Sequence, residues 1–176
     1  MNNSGSSGTS GSVVVGVDGS AGARSGLRWA AAEARLRKTR LRVIHAWRFS
    51  YPGAAGYGYL GETLPDGGLS KLHRASEDMV EQAIANLATE AEGIAIEREV
   101  VEGTAADVLL GAVTENDLLV VGSRGHGGFV GLLLGSVSQQ CAHHARCPVV
   151  IVHAPRRAVG GPEPAEARPT SSQAAA

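Results

Sequence analysis

The sequence predicts an α/β domain built on a single open, five-stranded parallel sheet with helices on both of its faces. Short apolar runs rich in valine and isoleucine alternate along the chain with longer amphipathic segments. Most of the apolar runs are continuous, as is typical of strands that helices cover on both sides. This regular alternation favours parallel neighbours joined by right-handed crossovers.

The first half of the chain predicts two strands with a helix between them. Residues 13–17, Val-Val-Val-Gly-Val, form the first strand, and residues 41–46 form the second. The helix between them carries an apolar stripe, made of Ala23, Leu27, Ala30, Ala31 and Ala34. Residues 49–69 are rich in glycine and predict a long surface loop.

The second half of the chain predicts three further helices and three further strands. In order, they are a helix over 70–92, a strand over 94–101, a helix from 104, a strand over 118–121, a helix over 136–144 and a strand over 149–152. The first of these helices has an apolar side, made of Leu72, Met79, Ala83 and Leu87. Thr104 and Asp107 have capping-box spacing at the start of the next helix.

Composition and charge exclude several classes of protein. The 176 residues suffice for one domain, which we predict over residues 12–154, between disordered tails at 1–11 and 155–176. A net charge of −1 and an aromatic content of 4% argue against nucleic-acid binding. No apolar run approaches the roughly 20 residues that span a bilayer, and residues 1–12 lack signal-peptide features. We therefore expect a cytoplasmic protein with no membrane segment.

The cysteine and histidine residues do not predict a redox or metal centre. Five residues with a helical pattern lie between Cys141 and Cys147, a spacing that fits neither a redox motif nor a disulfide framework, so we predict two reduced, buried thiols. His45, His143 and His144 lack acidic or cysteine partners at ligand spacing, which argues against a zinc site.

A glycine-rich loop follows the fourth predicted strand. Gly122 and Gly125 are separated by two residues, and nine residues later Gly135 and Ser136 begin the next helix. Such a loop presents main-chain N–H groups and a helix N-terminus at one point, which suits a phosphate group. On this basis, a Gly122→Ala substitution is expected to point a methyl group at the phosphate and to weaken binding with little loss of stability. Ser136 also has capping-box spacing to Gln139, which would explain the serine without any ligand.

Three charged or titratable residues lie where a ligand of such a sheet binds, beyond the carboxyl ends of the strands. Asp18 follows the first strand, where it could accept a ribose hydroxyl or hold a magnesium ion, or could cap the following helix as Ser20 could. Arg124 and His126 lie in the glycine loop and could reach a phosphate or be solvated. The loop has no P-loop lysine, which favours nucleotide binding over fast hydrolysis.

Several runs of residues resemble the universal stress protein family. They are Val-Val-Val-Gly-Val-Asp-Gly-Ser, Arg-Trp-Ala-Ala, Val-Ile-His-Ala, Gly-Ser-Arg-Gly-His-Gly-Gly-Phe and Gly-Ser-Val-Ser. The resemblance covers residues 12–154 and is closest to single-domain bacterial members. It implies a Rossmann-like fold of the adenine-nucleotide α-hydrolase-like group. The spacing of Gly122, Gly125, Gly135 and Ser136 matches the G-2x-G-9x-G-S pattern of the ATP-binding branch.

The resemblance implies an ATP and Mg²⁺ site. Gly16 and Asp18 would lie beside the ribose and the metal ion, and the main chain of Ala46 beside the adenine. The phosphates would contact Gly122, Ser123, Arg124, Gly125, His126, Gly127, Gly128, Gly135, Ser136 and Val137. The last strand, residues 149–152, would pair across a homodimer. The expected function is a regulatory or nucleotide-sensing stress protein with at most slow ATP hydrolysis. The alternatives are an adenylyl- or phosphoryl-transferring enzyme, or an interaction module without a nucleotide; no downstream partner is implied.

Overall fold

The computed structural model describes residues 11–48, 68–125 and 133–155 of the chain. The predicted tails lie outside these ranges, except for Gly11 and Pro155. Residues 49–67 of the predicted loop also lie outside them. The elements are β1 (Val13–Gly16), α1 (Ala21–Arg37), β2 (Leu41–Trp47), α2 (Gly68–Ala85), a 3-10 helix (Ala88–Ala91), β3 (Ile96–Glu102), α3 (Ala105–Ala112), β4 (Leu118–Gly122), α4 (Ser136–His144) and β5 (Val149–Val152).

The five strands form one sheet in the order β3-β2-β1-β4-β5, and every neighbouring pair is parallel. This confirms the predicted α/β fold. β1 is the central strand. β2 and β3 follow on one side of it, and β4 and β5 follow on the other side. The strand order therefore reverses between β1 and β4, and a crevice forms where the chain leaves their carboxyl ends in opposite directions.

Helices pack on both faces of the sheet, as predicted. Because successive side chains of a strand point to opposite faces, Val13 and Val15 join the core beneath α1 and α2, whereas Val14 joins the core beneath α3 and α4. The apolar stripe predicted for the first helix is confirmed, since all five of its side chains are buried in α1. β1 and β4 are short, rich in valine and leucine, and almost entirely buried by these helices, whereas the edge strand β5 is partly buried.

The second helix departs from its prediction. α2 begins at Gly68, two residues before the predicted start, and ends at Ala85 rather than continuing to residue 92. Ala88 adopts a φ of 45°, outside the right-handed helical region, so an α-helix cannot continue through it. Leu72 was predicted on the buried side and is 42% exposed, whereas Val80 is fully buried.

A buried carboxylate ties the two central strands together at the end of the sheet opposite the crevice. Asp117 Oδ1 accepts hydrogen bonds from the N–H and hydroxyl of Ser12, both at 2.7 Å, and Oδ2 accepts from the N–H and hydroxyl of Thr114, both at 2.8 Å. Burial alone raises the pKa of Asp117, but these four hydrogen bonds outweigh it and lower the pKa from 3.8 to about 2. The carboxylate is therefore ionised throughout the physiological range.

The two cysteines are free and buried, which confirms the prediction of reduced thiols. Burial, together with the neighbouring Cys147, raises the pKa of Cys141 to about 11, and burial also raises the pKa of Cys147. Both side chains therefore remain protonated at neutral pH and pack as small apolar groups. Among the helices that the structure describes, none combines the length and apolar character needed to span a bilayer.

Candidate functional site

The carboxyl ends of β1, β2 and β4 border a cleft of about 500 Å³ at the reversal of strand order. α3, together with the N-terminal ends of α1 and α4 and the residues just before them, supplies the rest of its wall. Small-molecule sites typically occupy about 300–1,000 Å³. Nine of the residues predicted for the site line this cleft, namely Gly16, Asp18, Ala46, Gly122, Arg124, Gly125, Gly135, Ser136 and Val137.

Four other predicted residues are not on the cleft wall that the structure describes. His126, Gly127 and Gly128 lie outside the described residues. Ser123 is buried and does not line the cleft. Its N–H donates to the carbonyl of Val152 at 2.7 Å, and its own carbonyl accepts the Gly135 N–H at 2.7 Å. Ser123 therefore holds the glycine loop against β5 and α4.

The turn between β1 and α1 places a carboxylate at the mouth of the cleft. Ser20 is the N-cap of α1, and its hydroxyl accepts the Ala23 N–H at 3.1 Å. Asp18 Oδ1 accepts the Ser20 N–H at 2.9 Å. The capping alternative is thus correct for Ser20, while Asp18 supports the turn that precedes the helix. Gly19 has a φ of 81°, a conformation that favours glycine at this position.

The Asp18 carboxylate lies directly over Gly125 of the opposite loop. A Cβ atom added to Gly125 would overlap with Oδ2 of Asp18, and among the residues that the structure describes no other atom comes comparably close to that position. The nearest obstacle to a side chain at 125 is thus the end of a flexible, exposed side chain. The sequence predicted that Gly125 leaves room for a phosphate. In the structure it leaves room for the Asp18 carboxylate.

The cleft has an apolar floor that no sequence motif revealed. Ile44, Leu109 and Val121 are buried, from β2, α3 and β4, and all three line the cavity. A Cβ on Gly16 would lie 2.8 Å from a methyl group of Leu109, so the side chain of Leu109 covers the end of β1. The helical periodicity of α3 signalled that Leu109 is buried, but not that it borders a cleft. This floor offers an apolar surface to the flat ring of a ligand.

The end of β2 presents unpaired main-chain groups beside this floor. The ladder between β1 and β2 ends at the Gly16–Ile44 pair, followed by one hydrogen bond from the Val17 N–H to the Ile44 carbonyl at 2.9 Å. Even-numbered residues of β2 point their main chain toward β1, so the N–H and C=O of Ala46 face the side that β1 has left. Among the described residues, no main-chain hydrogen bond joins Ala46 to β1 or to the turn after it.

The N-terminus of α4 points its free N–H groups at the cleft. Gly135 is the N-cap, and its carbonyl accepts the first helical hydrogen bond, from Gln139. The N–H groups of the first helical turn, Ser136 to Ser138, therefore have no partner within the helix, and all three residues line the cavity. The Ser138 hydroxyl is buried and donates to the carbonyl of Ser123 or of Gly135, which fixes the loop ahead of the helix.

The capping-box alternative for Ser136 is wrong. Ser136 is the first helical residue rather than the N-cap, and the N-cap, Gly135, has no side chain to make a capping bond. The serine is exposed at the cleft instead. Its spacing to Gln139 is a coincidence of sequence, because the loop enters the helix one residue earlier than a capping box would require.

The predicted direction of a side chain at Gly122 is also wrong. A Cβ added there would lie 2.7 Å from the carbonyl carbon of Gly22 and 2.9 Å from the nitrogen of Ala23, both in the main chain of α1. Gly22 in turn leaves room for the Arg124 carbonyl, which a Cβ would approach to 2.6 Å. The two glycines allow α1 and the end of β4 to pack backbone against backbone, so Gly122 has a packing role that the sequence did not reveal.

Few charges line the cleft. Among the lining residues that the structure describes, only Asp18 and Arg124 are charged, and they come from opposite sides of the crevice. No group of three or more metal-ligating side chains occurs within the described residues. A magnesium ion would therefore be held by a single carboxylate together with the phosphates of a ligand, an arrangement that is common for this ion.

A profile of the universal stress protein family matches residues 10–153. The chain belongs to this family. Universal stress protein Rv2623 of Mycobacterium tuberculosis is 35% identical over 144 residues, which cover 80% of this chain and 47% of that protein. This universal stress protein thus spans about half the length of the curated relatives it matches.

Solved universal stress proteins share the fold. UspA from Lactobacillus plantarum aligns with a TM-score of 0.64 at 21% identity, over 81% of this chain and 97% of that one. A universal stress protein solved in complex with cAMP aligns with a TM-score of 0.51 at 28% identity, over 82% of this chain and 98% of that one.

Proposed function

We propose that this chain is a regulatory universal stress protein that binds ATP, with Mg²⁺, in the cleft between β1 and β4. The observation that carries the proposal is the convergence of three kinds of group in one cavity. They are the free N–H groups at the start of α4, a carboxylate at the cleft mouth, and an apolar floor beside exposed main-chain groups. A nucleotide has phosphates, a ribose and a base that match these groups in that order.

The phosphate end is formed by the N-terminus of α4 and the glycine loop. The N–H groups of Ser136 and Val137 can donate to an anion in the cleft, and the positive end of the helix dipole lies at the same place. Arg124 supplies a positive charge on the same side. When a magnesium ion is bound, it neutralises phosphate charge, and Asp18 is the side chain that would hold it at the cleft mouth.

The base end is formed by the floor and the end of β2. Ile44 and Leu109 offer apolar contacts, and the adjacent N–H and C=O of Ala46 offer one donor and one acceptor. Adenine presents a complementary acceptor and amino donor on one edge, whereas guanine presents an oxygen acceptor where adenine has the amino group. The relative solved with cAMP supports an adenine nucleotide in this family, and the assignment of ATP to this chain rests on the glycine motif.

The charges of the cleft favour binding over turnover. Fast phosphoryl transfer relies on cations and a positioned base around the transferred group. The described lining residues include one arginine and one carboxylate, with no lysine among them. We therefore propose ATP hydrolysis that is at most slow, which favours nucleotide sensing over an adenylyl- or phosphoryl-transferring activity.

The proposal is tested by identifying and measuring the bound nucleotide. Mass spectrometry of the small molecules released from purified, denatured protein is expected to show ATP. Calorimetry on nucleotide-free protein is expected to give tighter binding of ATP than of GTP. A cleft that is empty after purification and shows no heat with ATP, in the presence or absence of Mg²⁺, would contradict the proposal and favour an interaction module.

A Gly125→Ala substitution is expected to weaken Mg·ATP binding about tenfold, the equivalent of one charge-assisted contact, while stability changes little. The added methyl group would displace the Asp18 carboxylate, which is the end of an exposed and rotatable side chain rather than main chain. An Asp18→Ala substitution is expected to weaken binding mainly when magnesium is present.

A double-mutant cycle measured by calorimetry distinguishes this account from direct contact between Gly125 and a phosphate. If Gly125 acts by leaving room for Asp18, the double variant binds Mg·ATP as weakly as Asp18→Ala alone. Additive losses would show that Gly125 and Asp18 act on the ligand separately. An equal loss of affinity with and without magnesium in Asp18→Ala would remove the metal-binding role.

We also propose that the protein is a homodimer that pairs through β5. β5 is an edge strand whose four residues, Val149–Val152, include no charge, whereas the opposite edge strand, β3, carries four charged side chains among seven residues. Charged side chains protect sheet edges from pairing, so the uncharged edge is the one suited to it. Sedimentation velocity is expected to give a mass twice that of the 18.0 kDa chain. A stable dimer persists at tens of micromolar protein, so a monomeric mass at that concentration would contradict this assembly.

A further inference from the structure

We infer that His45 is a positioning residue for the base of the nucleotide, because its imidazole engages the Val17 carbonyl and so leaves the Ala46 N–H available to a ligand. The inference rests on the proposed function, since it concerns how the same cleft recognises an adenine. His45 itself does not line the cleft. It acts through the main chain of the two strands that border it.

The hydrogen bonds between β1 and β2 show where the sheet pattern is interrupted. The Val17 N–H donates to the Ile44 carbonyl at 2.9 Å, as a parallel ladder requires. The next hydrogen bond of the ladder would run from the Ala46 N–H to the Val17 carbonyl. Instead, Nδ1 of His45 lies 2.8 Å from that carbonyl oxygen. A carbonyl oxygen only accepts hydrogen bonds, so Nδ1 carries the proton and donates.

The position of the imidazole explains why the ladder ends here. Side chains stand roughly perpendicular to a sheet, whereas ladder hydrogen bonds lie in its plane. A carbonyl that meets the His45 ring has therefore turned out of the plane in which the Ala46 N–H points. The register of the two strands ends at the Gly16–Ile44 pair, and the bond from the Val17 N–H to the Ile44 carbonyl is the last main-chain hydrogen bond between them among the described residues. The side chain of one residue thus controls whether the next residue donates to the sheet or to the cleft.

This control matters because Ala46 is the described residue of β2 that presents its main chain to the base end of the cleft. An adenine placed on the floor formed by Ile44 and Leu109 would find the Ala46 N–H and C=O side by side. If Val17 accepted the Ala46 N–H, the base would lose its donor and bury an unpaired ring nitrogen. The phosphate end, at the start of α4, would be unaffected.

Two substitutions at His45 separate the hydrogen bond from the bulk of the ring. His45→Leu removes the donor, whereas His45→Asn places an amide N–H near the position of Nδ1 and can still donate to the Val17 carbonyl. The first measurement uses nucleotide-free protein and follows amide hydrogen exchange by NMR. We expect exchange of the Ala46 amide to slow at least about tenfold in His45→Leu, because the ladder closes, and to stay near the wild-type rate in His45→Asn.

The amide of Val43, in the middle of β2, serves as the internal reference. Unchanged exchange of the Ala46 amide in His45→Leu would overturn the inference. Equal slowing in both variants would overturn it as well, since the asparagine retains the donor. Neither result depends on nucleotide binding, so the role of His45 is decided even if the proposed function fails.

The second measurement compares AMP with inorganic tripolyphosphate by calorimetry. We expect His45→Leu to bind AMP about tenfold more weakly than the wild type and to bind tripolyphosphate equally well. We expect His45→Asn to bind both ligands as the wild type does. A proportionate loss of tripolyphosphate affinity would show a general effect on the cleft and overturn the inference. A wild-type protein that binds neither probe would instead contradict the proposed function.

Discussion

A Gly122→Ala substitution is expected to lower the free energy of unfolding by about 3 kcal/mol, at the upper end of the range for overpacking. The added methyl carbon would lie 2.7–3.0 Å from three main-chain atoms of Gly22 and Ala23, and main-chain atoms cannot rotate out of the way. α1 would have to move away from β4 along the contact that holds the crevice in shape. The change is measured by urea denaturation of the nucleotide-free protein.

Gly26→Ala is the matched control for this prediction. Gly26 lies one turn further along α1 and faces the same strand, but a Cβ there would sit 3.7 Å from the Gly122 nitrogen, an ordinary van der Waals contact. An alanine inside a helix is favoured over glycine by roughly 0.5–1 kcal/mol, so this variant is expected to be at least as stable as the wild type. If Gly122→Ala has the same urea midpoint of unfolding as the wild type and loses only affinity for ATP, the packing role is wrong. Close approach of a phosphate to Gly122 would then be the better explanation.

An Asp117→Asn substitution is expected to cost about 2–3 kcal/mol of stability at neutral pH, because an amide cannot accept all the hydrogen bonds that the carboxylate accepts. The Ser12 and Thr114 N–H groups donate to different carboxylate oxygens, so at least one of these buried donors would be left facing an amide nitrogen. Asp117 is 7% exposed, so water cannot readily replace the lost acceptor. Urea denaturation at pH 7 measures the difference.

The same variant is expected to alter the response of stability to acid. The pKa of Asp117 is about 2 in the folded protein and 3.8 when unperturbed, so the unfolded state binds the proton first. The stabilisation, about 2 kcal/mol by linkage, is fully present above pH 4 and is lost as the pH falls toward 2. The wild type should lose this increment over that range, and Asp117→Asn should not.

Asp78→Asn is the control for the acid measurement. Asp78 lies on the exposed side of α2, so its neutralisation removes the same charge without a buried network. We expect this variant to follow the wild-type acid profile closely. A parallel decline in Asp117→Asn and the wild type would show that other carboxylates dominate the acid response.

The glycines of the loop motif show what a sequence motif can and cannot predict about a site. The spacing of Gly122, Gly125 and Gly135 predicted a phosphate site, and the structure places all three on one cleft. Each glycine nevertheless has a different neighbour. Gly122 abuts the main chain of α1 and Gly125 leaves room for a carboxylate, whereas Gly135 is the N-cap of α4, where an added Cβ would meet only ordinary contacts of 3.4 Å or more. A motif shows that side chains are absent, but not which atoms take their place.

The main chain of Ala46 shows a similar limit. The resemblance of the sequence to its family implied that this main chain lies beside adenine. The structure places it on the cleft, because β2 extends beyond the end of β1 and its even-numbered residues point their N–H and C=O groups to that side. The part of His45 in ending the ladder depends on a 2.8 Å contact with a residue 28 positions away. No local pattern encodes such a contact.

The sequence alone determined the order and kind of the elements, because strand and helix periodicities are properties of neighbouring residues. The limits of α4 and β5 match their predictions residue for residue, and the motif residues were correctly placed at strand ends. The tertiary structure alone decided that α2 ends at Ala85, that Leu72 is exposed, and that Ile44, Leu109 and Val121 form the cleft floor. These features arise where distant segments pack together, and the free energy of such contacts depends on atoms that sequence spacing does not bring into view.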